Sequence, residues 1–268
     1  MHKTLLITGS TAGIGLETAK LLAADGHTVL LHGRSAAKVE AAKAELKGLP
    51  VADRAQGFVA DLSDLRDVRR LAREVAEAHP RLDALINNAG VFATRETRTP
   101  AGLDVRFVVN TIAPYLLTKE LLPQLDANAR VVNLSSAAQS PVDLAALEGQ
   151  VPLGDGPAYA QSKLALTMWT RALAGSLGDT GPLLVAVNPG SMLGTKMVKE
   201  AYGVAGADVR IGADILRRAA LSEEFAGANG QYFDNDVGRF APPHPAGQDD
   251  AQCAAVVRAI EGVLERMG

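Results

Sequence analysis

Thr4-Leu5-Leu6-Ile7-Thr8-Gly9-Ser10-Thr11-Ala12-Gly13-Ile14-Gly15-Leu16 is the stretch that decides the fold. A short apolar run enters a turn holding three glycines, and an apolar-faced helical pattern (Ile14, Ala19, Leu21, Leu22) leaves it. Glycines let a backbone come close to a pyrophosphate. The free N–H groups and the positive end of the following helix dipole then bind its charge. The spacing is G-x-x-x-G-x-G rather than G-x-G-x-x-G. In this strand–turn–helix setting it still predicts a dinucleotide-binding turn built from Gly9, Ser10, Thr11, Gly13, Ile14 and Gly15.

Outward from that turn, strand and helix patterns alternate. Strands are predicted at residues 4–8, 28–31, 57–60, 82–86, 130–134 and 183–187. Helices are predicted at 13–25, 36–46, 65–78, about 101–125 (with Pro114 and Pro123 as kinks or ends) and 159–177. The strands are continuously apolar, so both faces should be buried. Repeated β–α–β implies an α/β fold, a Rossmann-type doubly wound parallel sheet flanked by helices in a single domain. Residues 137–156 and 191–210 break the rhythm after strand ends, where ligands lie in open α/β sheets.

The 268 residues suit one such domain. A net charge of −3 gives no reason to expect nucleic acid or an anionic membrane as partner. No stretch approaches the roughly 18 apolar residues needed to cross a bilayer, and no signal peptide is visible. The single cysteine, Cys253, excludes an intrachain disulfide, and we expect a cytoplasmic protein. Cys253 stands among Ala251, Ala254, Ala255 and Val256, the pattern of a packed helix. The five histidines are scattered, so no metal site is expected.

Two further features carry chemistry. The second strand ends in His32-Gly33-Arg34-Ser35, without the acid that meets a free ribose 2′-hydroxyl. Arg34 stands there instead and suits a 2′-phosphate, so NADP(H) is expected over NAD(H). Farther on, Tyr159 and Lys163 lie four apart on one helix face. A nearby ammonium favours phenolate, so Tyr159 can exchange a proton with an alcohol or carbonyl near neutral pH.

Together these motifs resemble the short-chain dehydrogenase/reductase family over nearly the whole chain. Thr8–Gly15 matches its TGxxxGxG, Asn87-Asn88-Ala89-Gly90 its NNAG, and Tyr159 to Lys163 its YxxxK. Asp61-Leu62 sits where the family meets the adenine, Asn110 at its catalytic asparagine, Ser136 at its catalytic serine, and Pro189-Gly190 at its PG. The resemblance implies Ser136 as stabiliser of the carbonyl oxygen, with Ser135 as its rival on the other strand face. It implies Tyr159 as proton donor and Lys163 as holder of the nicotinamide ribose. Asn110 would anchor a relay water. Asn87, Ala89, Gly90, Pro189, Gly190, Met192 and Thr195 would contact the cofactor.

Two departures stand out. Ser136 and Tyr159 are 23 residues apart, longer than the family's usual spacing and similar to the retinol dehydrogenase branch. The family's threonine after PG falls one place late, at Thr195, which puts its nicotinamide contact in question. The implied activity is carbonyl–alcohol interconversion on a small, fairly apolar molecule. The alternatives are an NAD(H)-dependent alcohol dehydrogenase, a non-catalytic dinucleotide sensor, and a nucleotide-sugar epimerase or dehydratase. A homodimer or homotetramer could form through Ala165, Leu166, Met168, Trp169 and Leu173, unless the insertion before Tyr159 blocks it.

Overall fold

A computed structural model describes residues 2–268, apart from the side chains of Ala52, Ala201 and Tyr202. Its elements run β1 (Thr4–Ile7), α1 (Gly13–Ala24), β2 (Thr28–Gly33), α2 (Ala36–Glu45), β3 (Gln56–Val59), α3 (Leu65–Ala78) and β4 (Leu82–Asn87). Then come α4 (Val105–Phe107), a π-turn (Val108–Ile112), α5 (Ala113–Leu121), β5 (Leu125–Leu134), α6 (Leu144–Leu147) and α7 (Asp155–Leu177). The chain continues through β6 (Leu183–Asn188), α8 (Lys196–Tyr202), α9 (Val209–Leu221), β7 (Tyr232–Asp234), β8 (Arg239–Phe240) and α10 (Asp250–Met267).

The strands form one sheet in the order β3-β2-β1-β4-β5-β6-β7-β8. All neighbours pair in parallel except β7 with β8. The order reverses between β1 and β4, and a crevice opens there beyond the carboxyl ends of the strands. Alternation along β1 explains the layering. Leu5 and Ile7 face a core shared with α1 and α9 (Leu22, Ile215, Leu216), while Leu6 faces a core shared with α3, α5, α7 and α10 (Leu71, Leu117, Trp169, Ile260). Both faces are covered, as the unbroken apolar runs require.

The helix expected over 101–125 is shorter and is not uniform. It starts at Val105, where Asp104 accepts the N–H of Arg106 as cap, and it ends at Leu121 before a tight turn containing Pro123. Pro114 has no N–H to give the preceding turn, and the backbone just before it opens into the π-turn that carries Asn110. The helix expected from residue 159 begins earlier, at Asp155, so Tyr159 lies one turn inside it.

Candidate active site

The glycine turn is shaped by close approach. Gly9 has φ +64°, and a Cβ there would come within 2.9 Å of the Ala89 Cα. A Cβ on Gly15 would come within 2.4 Å of the Asn88 amide nitrogen. That amide donates to the carbonyls of Thr8 (2.8 Å) and Gly9 (3.1 Å), and the Thr8 hydroxyl accepts the N–H groups of Asn88 and Ala89. The β1 turn and the Asn87–Gly90 segment are thus laced across the sheet's switch point. Thr11 packs against Gly33 beside Arg34, and Ile14 packs against Gly212 of α9. The first turn of α1 contains no acid. Such a cradle fits a dinucleotide pyrophosphate.

Arg34 is exposed just past β2, and among the described residues it forms no ion pair. Asp61 is turned inward on its own loop, accepting from the Ser63 N–H and hydroxyl, and Leu62 is buried beside it. The Asn87 side chain is engaged within the fold. Its amide nitrogen donates to Asn133 (2.8 Å) and Thr118 (3.1 Å), while its amide oxygen is buried without a hydrogen-bond partner in the protein.

At the other end of the crevice, α7 presents Tyr159 and Lys163. The Lys163 ammonium is buried, donates to the Leu134 carbonyl at 2.7 Å, and lies 5.7 Å from the Tyr159 ring centre. Burial pushes its pKa down to about 8. Phe92 packs on the Tyr159 ring with centres 5.1 Å apart. Asn110 is buried in the π-turn, pairs with both backbone groups of Val91 and donates to the Ser162 hydroxyl. A Cβ on Gly90 would stand 3.4 Å from both the Asn110 oxygen and the Lys163 nitrogen, so these two polar tips flank one small opening. Of the two serines ending β5, Ser135 is buried, its hydroxyl bonded to Thr167 and to the Lys163 carbonyl. Ser136 is half-buried, and its oxygen accepts the Ala138 N–H.

After β6, Pro189 and Gly190 lead to Met192, the sole non-glycine residue with positive φ (+53°) among those described. Backbone strain of this kind costs on the order of 1–3 kcal/mol and gathers at functional sites. Thr195, one place late, caps α8 and still reaches the glycine turn. Its methyl stands 3.8 Å from where a Gly13 side chain would begin.

A family model described as short chain dehydrogenase matches residues 3–203. The chain belongs to the short-chain dehydrogenase/reductase family. Like the family, it is an oxidoreductase acting on CH–OH and C=O groups. This short-chain dehydrogenase/reductase is 32% identical over 267 residues to Retinol dehydrogenase 13 of Mus musculus, covering 92% of this chain and 79% of the relative. It therefore sides with the retinol dehydrogenase branch. A solved protein of Mycobacterium paratuberculosis superposes with a TM-score of 0.81 at 29% identity, covering 98% of this chain and 93% of the other. A short chain dehydrogenase from Burkholderia cenocepacia, solved in complex with NADP, matches with a TM-score of 0.69 at 29% identity, covering 88% of this chain and 97% of that one. No helix among the described residues of this family member is long and apolar enough to cross a membrane.

Three contributors to the site were not legible. Asn88 lay inside a motif, but its lacing of the glycine turn depends on strand order. Tyr232 donates from β7 to the Ser136 carbonyl at 3.2 Å. Asp236, beyond β7, accepts the Ser191 N–H (2.7 Å), the Ser191 hydroxyl and the Asn188 amide, and so pins the Pro189–Ser191 loop. Tyr232 sits on, and Asp236 just past, a three-residue strand too short to show a period.

Proposed function

We propose that this protein is an NADP(H)-dependent oxidoreductase that interconverts a fairly apolar carbonyl compound and its alcohol, with Tyr159 as general acid and base. The observation that carries this reading is the buried Lys163 ammonium, held by the Leu134 carbonyl and set 5.7 Å from the Tyr159 ring. A cation so placed favours the phenolate and eases proton exchange at the tyrosine hydroxyl.

The residues that would hold the cofactor are the Gly9–Gly15 turn at its pyrophosphate, Arg34 at its 2′-phosphate and Lys163 at its nicotinamide ribose. Asp61, Leu62, Ala89, Gly90 and the Pro189–Thr195 segment would flank it. The bound nicotinamide supplies or takes up the hydride. Ser136, half-buried just past β5, steadies the substrate oxygen as charge develops there. Tyr159 gives that oxygen its proton, or removes it in the oxidative direction. Asn110, beside Lys163 at the Gly90 opening, holds a water through which the proton is replaced.

The preference for NADP(H) is supported by the exposed Arg34 and by the absence of an acid at the end of β2. That for an apolar substrate is supported by Phe92 against Tyr159 and by exposed side chains. Among the described residues, three of the six exposed large apolar side chains, Val151, Met192 and Val204, fall in the two irregular segments. Tyr159→Phe is the test. It should bind NADPH as the parent does and lose about a hundredfold or more in turnover with any accepted carbonyl. Retained turnover would refute the mechanism.

A further inference from the structure

We infer that His32 is a positioning residue for the dinucleotide, a single imidazole that ties the glycine turn to the adenine-side loop. This rests on the dinucleotide reading above and extends it to a residue that no motif marks.

His32 lies near the end of β2, which runs between β1 and β3. Its side chain is 2% exposed. One ring nitrogen, Nδ1, accepts the Gly9 N–H at 3.1 Å, just beyond β1. The other, Nε2, lies 3.1 Å from the Ala60 carbonyl, just beyond β3 and next to Asp61. An amide N–H cannot accept and a carbonyl cannot donate, so only the neutral tautomer protonated at Nε2 satisfies both. Burial favours that neutral form and pushes the imidazole pKa down to about 4, against opposing pulls from the Ala60 carbonyl and then from Asp61.

The backbone of the same residue completes the tie. The His32 N–H donates to the Ser10 hydroxyl (2.9 Å), which itself donates to the Ile7 carbonyl, and the His32 carbonyl accepts the Ser10 N–H (3.0 Å). One residue therefore fixes Gly9 in its left-handed conformation and Ser10 beside it. It also spends the N–H groups of Gly9 and Ser10 on protein acceptors. Recognition of the pyrophosphate charge then falls to the N–H groups from Thr11 to the start of α1. Arg34 follows two residues later, so the imidazole also sets the strand end that aims it.

The series His32→Asn, His32→Gln and His32→Leu separates the two bonds. Asparagine places an acceptor near Nδ1 and keeps the Gly9 bond. Glutamine places an N–H near Nε2 and keeps only the Ala60 bond. Leucine keeps neither. NADPH dissociation constants from fluorescence titration are read beside melting temperatures of the cofactor-free proteins. We expect His32→Asn within about threefold of the parent and His32→Gln and His32→Leu weaker by about tenfold or more. The cofactor-free melting temperatures of His32→Asn and His32→Gln should agree within a few degrees. Parental affinity in His32→Gln and His32→Leu would overturn the inference, as would losses that simply track melting temperature across the series. A parent protein that binds neither NADPH nor NADH would instead sink the dinucleotide reading beneath it.

Discussion

Lys163 is a charge kept where water is excluded. Its pKa falls from the ordinary 10.5 to about 8 through burial, so in the folded state the protonated form is penalised. A shift of this size penalises the protonated form by about 3 kcal/mol near pH 7. Lys163→Met removes that penalty but leaves the Leu134 carbonyl without its donor, at a cost of about 1–3 kcal/mol, so it should leave the cofactor-free protein no less stable than the parent while abolishing turnover. Chemical denaturation of both proteins checks this, and a destabilised Lys163→Met would mean that the lysine is there for the fold. His32 gives the acid-side counterpart. Its folded pKa of about 4 lies below the ordinary 6.5, so between those values the unfolded chain binds more protons. The stability it contributes is complete above pH 6.5 and is lost as pH falls toward 4, about 3 kcal/mol in all. His32→Asn should flatten the melting-temperature profile across that window, and an unchanged slope would assign the acid loss to other groups.

Among the elements, the β7–β8 hairpin matters more than its five strand residues suggest. From it, Tyr232 holds the Ser136 carbonyl and Asp236 holds Ser191, so one small hairpin steadies both the serine and the loop beyond β6. Tyr232→Phe removes one hydroxyl from a buried ring and keeps its packing. Turnover should fall about tenfold with NADPH affinity unchanged. Equal turnover would show that Ser136 needs no such support. These elements also mark what the sequence could and could not disclose. The glycine turn, the Asn87–Gly90 segment and the Tyr159–Lys163 pair were readable because local spacing alone defines their chemistry. Helix α9 is hard to read in the sequence because its buried face (Ile215, Leu216, Ala219 and Ala220) follows directly on the irregular segment 191–210. The π-turn at Asn110 could not be foreseen, because its cause at Pro114 predicts a break but not its form. The role of His32 is not legible in the sequence because its partners Gly9 and Ala60 come together only in the sheet.

At the scale of the whole molecule, α10 occupies the face of α7 through which a symmetry mate was expected to bind. Ala165, Leu166, Met168, Trp169 and Leu173 are at most 9% exposed, packed with Cys253, Val256, Ile260 and Leu264 in one core. Tyr115 and Lys119 of α5 both bond Glu261 of α10, and Arg171 of α7 pairs with Asp250. Each large apolar side chain buried there contributes about 1.5–3 kcal/mol, so opening this face for a partner would be costly. Light scattering should give the mass of one chain, and a stable dimer would show that another face associates. Cys253 lies within this seam, where burial raises its thiol pKa and keeps it unreactive.

On the function proposed above, the crevice takes NADP(H) and Arg34 meets its 2′-phosphate. Side-by-side fluorescence titration of the protein and of Arg34→Asp with NADPH and NADH tests it most directly. The protein should bind NADPH clearly more tightly than NADH, and Arg34→Asp should lose that preference by about tenfold or more. Equal or tighter binding of NADH, or an Arg34→Asp protein that keeps its NADPH affinity, would contradict it.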